Sequence, residues 1–93
     1  MKFILTFAIK PEGKGRDEAI TRFKNTGGRA PEGAKFLGRW TAADFGGGFV
    51  LLENDEIKAL TEFSLMWSDI MELKIVPVTE DADLGVMLAR SGK

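Results

Sequence analysis

Arg39, Glu53, Thr6 and Glu72 are the residues of this 93-residue chain whose types and positions best suit the binding of a ligand. An arginine can grip a carboxylate or phosphate through two parallel N–H donors. A half-buried glutamate beside it can have a raised pKa and act as a general base. Thr6 and Glu72 each interrupt a strand-like run that is otherwise largely apolar, so neighbouring strands would bring them to one surface. Arg39 joins that surface only if it shares the face of Glu53, and hairpin register decides this parity. The plain alternative puts Trp40 in the core and pairs Arg39 with Glu53 across strands. Glu53 then pairs with Lys35 or Arg39, or meets solvent at the sheet edge. Such surface pairs contribute about 0–1 kcal/mol.

Chemistry is narrowed further by what the chain lacks. It has no histidine, no cysteine and no tyrosine, which removes the usual neutral-pH base, the thiol nucleophile and the commonest transition-metal ligands. No metal and no cofactor is expected. The remaining polar features have structural readings. Asp44 with Gly46, Gly47 and Gly48 would form an anion nest, a lid or simply a turn, and the run leads into a strand where phosphate loops lead into a helix. Gly13-Lys14-Gly15 precedes a helix but lacks the rest of a phosphate loop. In Trp67-Ser68-Asp69, Trp67 extends an apolar stripe, and Asp69 ends a helix or faces an interface.

Seven elements must position these groups. Residues 2–10 read as a strand with Phe3, Leu5, Phe7 and Ile9 on one face and Ile4, Thr6 and Ala8 on the other. Ala19, Ile20 and Phe23 fall at helical spacing over 14–26, and Gly27-Gly28 supplies a left-handed stop. Residues 34–41 and 49–53 form an antiparallel hairpin, with the glycines serving a bulge or a close backbone approach. Asn54 or Asp55 caps a helix carrying Ile57, Leu60, Phe63 and Trp67. Residues 70–78 alternate as a fourth strand with Pro77 near its end, and Thr79 would cap a short helix over 80–89. The acidic Glu80, Asp81 and Asp83 suit the positive end of that helix.

The resulting order, β-α-β-β-α-β plus a C-terminal helix, is the split βαβ or ferredoxin-like arrangement, an α+β fold in a single domain over residues 1–93. Two helices cover one face of a four-stranded sheet. The opposite face carries Ile4, Ala8 and part of the run from Val50 to Leu52, and it needs a cover. A second copy packed sheet to sheet, a dimeric α+β barrel, supplies one. Small domains bury a modest fraction of their surface, about 60–65%, which makes such association a natural supplement.

Gly38-Arg39-Trp40, the Gly-rich turn into Phe49-Val50-Leu51-Leu52-Glu53, and Trp67-Ser68-Asp69 followed by Pro77-Val78 together resemble domain-of-unknown-function family 3303 over nearly the whole chain. The resemblance implies the dimeric α+β barrel superfamily, whose relatives include small monooxygenases, isomerases, chlorite dismutase-like haem proteins and domains without known chemistry. Where the family pattern often places a histidine after the Arg-Trp pair, this chain has Thr41. With no histidine anywhere, a proximal imidazole for haem is missing as well.

Three readings of function follow. The first is a homodimeric module that binds a small organic ligand in a cleft between sheet and helices. The second is a cofactor-independent monooxygenase- or isomerase-like enzyme relying on Glu53, Asp44 and Arg39. The third is a structural dimerisation domain. The net charge of −1 argues against nucleic acid as a partner. The start of the chain has no signal-peptide core, and no stretch of 18 apolar residues would enter a membrane. Together with the absence of cysteine, this makes the cytoplasm the expected location.

Overall fold

Alternation along the chain builds the sheet. In the computed structural model, which describes residues 1–92, the elements are β1 (Lys2–Ile9), α1 (Gly15–Thr26), β2 (Ala34–Thr41), β3 (Gly47–Asn54), α2 (Ile57–Trp67), β4 (Met71–Val78) and α3 (Asp81–Arg90). The four strands lie in the order β2-β3-β1-β4, and every neighbouring pair is antiparallel. This is the ferredoxin-like α+β arrangement with an added C-terminal helix.

The odd-numbered residues of β1 face the helices. Phe3 and Leu5 are buried there with Val50 and Leu52 of β3 and Leu60 of α2. A second cluster joins Ala19 of α1 to Trp67, Ile70 and Met71, and Phe7, Phe63 and Leu73 bridge the two. The opposite face is open. Ile4 is flanked there by Leu51 and Val76, and Thr6 by Phe49 and Lys74. Trp40 stacks on Phe49 across β2 and β3, with ring centroids 5.2 Å apart, and both rings are about half exposed.

Helix ends follow local chemistry, with two departures from expectation. Gly27 ends α1 in the left-handed conformation, and its N–H donates to the Phe23 carbonyl at 2.7 Å. Neither Asn54 nor Asp55 caps α2, and Asn54 is the buried last residue of β3. Its Oδ1 accepts the Glu56 N–H at 2.7 Å, an Asx turn that leaves Glu56 at the N-cap. Thr79 does not cap α3 either. Glu80 holds that position, so the helix starts one residue further on, and its carboxylate pairs with Lys2 of β1.

β3 begins two residues before the expected strand, and the glycines explain why. A Cβ on Gly48 would collide with the Trp40 carbonyl of β2 and stand 2.7 Å from the Phe7 ring of β1. Gly47 and Gly48 therefore serve close approach between strands. The bulge lies elsewhere, in β2, where Leu37 is the extra residue between Phe36 and Gly38.

α3 stands apart. None of its residues is buried, and no other element packs substantially against it. The radius of gyration is 15.6 Å and the longest extent 52 Å. A compact chain of this length has a radius of about 12 Å.

Candidate functional site

The bulge at Leu37 decides where Arg39 goes. Phe36 pairs with Leu52 and faces the helices. Past the extra residue, Gly38 pairs with Leu51 on the open face, Arg39 with Val50 on the helix face, and Trp40 with Phe49 on the open face. One inserted residue reverses the facing of everything beyond it.

Arg39 thus reaches over the end of α1. Its Nη1 donates to the Gly28 carbonyl at 2.5 Å and its Nη2 to the Gly27 carbonyl at 3.2 Å. The guanidinium lies 4.7 Å from the Phe23 ring centroid and 5.3 Å from that of Phe36, within cation–π range of both. Gly28 permits this approach. It has φ +58, and a Cβ there would stand 2.8 Å from the Phe23 ring and 2.9 Å from Arg39 Nη1.

Arg39 also frames the mouth of a chamber between sheet and helices. Leu5, Phe7, Val50 and Leu73 form its floor, and Phe63, Trp67 and Met71 its back wall. Phe23, Gly28 and Phe36 surround the opening. The cavity measures about 50 Å³. That holds a water or two and is far below the roughly 300 Å³ of a typical ligand pocket. Phe23, 43% exposed, is the most exposed ring of the lining. Arg39 is the one charged residue of the lining, and no carboxylate contributes to it.

Glu53, Thr6 and Glu72 lie on the other side of the sheet. Glu53 sits between Lys2 and Lys35 at one end of the open face. Thr6 is central, and Glu72 is opposite Ala8 on the outer strand β4. The β1 partners of Glu53 and Glu72, Lys2 and Ala8, are six positions apart, about 20 Å along a strand. The expected four-residue constellation does not form. Arg39 is on the helix face, and the other three spread over a surface with no shared cleft. The plain alternative fails for Arg39 and Trp40, because Trp40 is outside the core and Arg39 turns away from Glu53, whereas Glu53 is exposed and opposite Lys35 as that alternative allows.

A cleft between sheet and helices was expected, but not this lining, because Phe23, Phe63 and Trp67 fall at ordinary core positions of amphipathic helices. Only their convergence on Arg39 makes them a site, and β2 register controls that convergence.

Asp69 finds a structural role. Arg22 of α1 donates from Nη1 to Asp69 Oδ1 at 3.0 Å and from Nη2 to Oδ2 at 2.5 Å. Its Nε donates to Glu18 at 2.9 Å, and its Nη1 also donates to the Met66 carbonyl at 3.0 Å. The guanidinium lies 5.7 Å from the Trp67 ring centroid. The cluster ties α1 to the end of α2 behind the chamber. Hydrogen bonding to Asp69 and then Glu18 raises the Arg22 pKa, and the bonds from Arg22 lower that of Asp69. A depressed folded-state pKa contributes stability that is present above the unfolded value and lost as pH falls below it. With an ordinary value of 3.8 for Asp69, the loss should appear below about pH 4. Urea midpoints measured from pH 6 to pH 3 should fall less steeply in Asp69→Asn than in the parent, and equal slopes would contradict the assignment.

Asp44 accepts the Gly46 N–H at 2.8 Å and folds the β2–β3 loop on itself, with Phe45 at φ 60. Among the described residues, no three acidic side chains gather into a group that could hold a metal ion. No helix among them is long and apolar enough to cross a membrane.

The fold and site define a small ferredoxin-like α+β protein with an aromatic chamber under its helices and an open sheet face. The chain belongs to the family described as Domain of unknown function (DUF3303), whose model matches residues 1–92. The solved structure of Rv0793 from Mycobacterium tuberculosis is similar over 87% of this chain and 99% of that one, at 13% sequence identity and a TM-score of 0.49. No curated protein matches the sequence.

Proposed function

We propose that the protein is a cytoplasmic homodimer that binds a small, single-ring aromatic anion in each helix-covered chamber. The observation that carries the ligand class is the lining, six aromatic or sulfur-bearing side chains (Phe7, Phe23, Phe36, Phe63, Trp67 and Met71) with one cation at the mouth. Flat apolar walls favour a ring, and seating one requires Phe23 to turn outward, because the cavity of about 50 Å³ is smaller than a single ring. Arg39 has five N–H donors and commits two of them to the Gly27 and Gly28 carbonyls. The rest are available to a carboxylate seated beside Phe23. No acid or base lines the chamber, which favours binding over proton-transfer catalysis.

The second copy is supported by the open face. Ile4, Trp40, Phe49 and Val76 leave 39–51% of their surface uncovered on one side of the sheet. An apolar surface of this kind is stabilised by a matching one.

Benzoate titrated calorimetrically into the protein should bind saturably. Arg39→Ala should weaken it about tenfold, or 1.4 kcal/mol, and Arg39→Lys should weaken it less. Toluene, which has the ring without the charge, should be insensitive to both substitutions. No saturable binding of either probe, or benzoate affinity unchanged by Arg39→Ala, would count against the proposal.

A further inference from the structure

The chamber is a gap between two helices and a sheet, and apolar packing does not by itself fix the width of a gap. Side chains that line a void have no partner atoms on that side to hold them at one distance. α1 carries Phe23 at the mouth, and α2 carries Phe63 and Trp67 at the back. Ala19 of α1 packs in the same cluster as Trp67, which sets a closest approach of the helices and no upper limit. Arg22 supplies that limit. From α1 it donates to the Met66 carbonyl and grips both carboxylate oxygens of Asp69, so it holds the chain on either side of Trp67. Among the described residues, every side-chain hydrogen bond from α1 to α2 or to the turn after it is made by Arg22. Its guanidinium also stands over the Trp67 indole, within cation–π range. Arg22 does not line the chamber, so this contact is made from outside the back wall. The other anchors of the junction come from the end of β1. Lys10 donates from Nζ to the Ser68 carbonyl at 2.8 Å and from its N–H to the Ile70 carbonyl at 2.9 Å. Those bonds tie the junction to the sheet and leave its distance from α1 to Arg22.

We infer that Arg22 is a positioning residue of the chamber: braced by Asp69, it fixes the Trp67 indole and the spacing of α1 from α2, and so restricts the chamber to a ligand of one ring. This rests on the aromatic-anion reading above and adds the group that sets its size limit. The chemistry of the side chain suits the role. A guanidinium is a planar, rigid fork that fixes distance and direction together, which the point charge of a lysine does not. The pair is also poorly suited to a purely stabilising role. The Asp69 side chain is 57% exposed, and ion pairs open to water contribute little to stability.

The test titrates benzoate and naphthoate, which share the carboxylate and differ by one fused ring, into the full chain. The parent should bind benzoate more tightly by about tenfold, a discrimination within reach of pocket dimensions alone. Arg22→Met keeps the apolar stem and loses every donor, and its preference for benzoate should fall by about threefold or more. Arg22→Lys, which keeps the charge without the fork, should move in the same direction. A second measurement needs no ligand. With Trp40→Phe as background, Trp67 is the single tryptophan, and acrylamide should quench its fluorescence more strongly once Arg22→Met is added. A parent that binds no benzoate would overturn the ligand reading and the positioning role together. Benzoate binding with an unchanged preference in both Arg22 variants, or unchanged quenching of Trp67, would overturn the positioning role alone, whatever happens to the urea midpoint. A parent that binds naphthoate as tightly as benzoate would overturn it as well, because the chamber would then have no size limit to set.

Discussion

Leu52→Ala is expected to lower the stability of the protein by about 3 kcal/mol. Leu52 has no exposed surface. It lies on β3 between Phe3 of β1 and Phe36 of β2, with Leu60 of α2 in the same cluster. Backbone pairing on both sides holds the strand in place, so the site cannot collapse around the lost methyl groups. A domain of this size has a total stability on the order of 5–15 kcal/mol, and the loss corresponds to a fall of roughly 12–24 °C in the unfolding midpoint. Leu51, the next residue, points to the open face, and alanine there should cost the isolated subunit much less. Urea unfolding of the two variants measures the contrast directly. A Leu52→Ala cost below about 1 kcal/mol would mean that the core is not centred where β1 and β3 meet α2.

Ile4→Glu is expected to raise the dimer dissociation constant at least a hundredfold while leaving the subunit folded. Ile4 is central on the open face, flanked by Leu51 and Val76, and is 39% exposed in the single chain. In a subunit alone the glutamate reaches water, and the change costs about 1 kcal/mol or less in strand preference. Between two sheets it places a carboxylate and its symmetry mate among Leu51 and Val76, a burial that costs several kcal/mol per ion. Sedimentation velocity at graded concentrations separates the two effects. A dimer that tolerates the charge would show that the subunits meet through another surface. Ile4→Glu thus tests the sheet face.

Much of the architecture was legible in the sequence, for reasons that can be traced to particular residues. Phe3, Leu5, Phe7 and Ile9 alternate with Ile4, Thr6 and Ala8, so β1 had to be covered on one side and left apolar on the other. Ile57, Leu60, Phe63 and Trp67 recur at helical spacing, so α2 had to lie against the sheet. Gly27 could stop α1 because a left-handed backbone suits glycine. These are local properties, governed by the period of the side chains and by steric limits within a few bonds. The caps were less legible. Asn54 and Thr79 have the right side chains, but pairing with Ala34 of β2 and a bond from its N–H to the Met1 carbonyl absorbed Asn54 into the strand, and Glu80 took the N-cap of α3.

The candidate site was decided elsewhere. Residue types marked Arg39 and Glu53 as able to bind a ligand, and on an unbroken β2 the two would share the open face with Trp40 turned inward. The additional residue at Leu37 reverses that parity, sends Arg39 over Gly27 and Gly28 into the mouth of the aromatic chamber, and leaves Trp40 stacked on Phe49 outside. Short-range periodicity, and with it the identity and order of the elements, is written into the sequence of this protein because each residue's neighbours in the chain set it. Which face a side chain occupies depends on the register between β2 and β3, which rests on packing between residues well separated in the chain, and only the assembled sheet determines it.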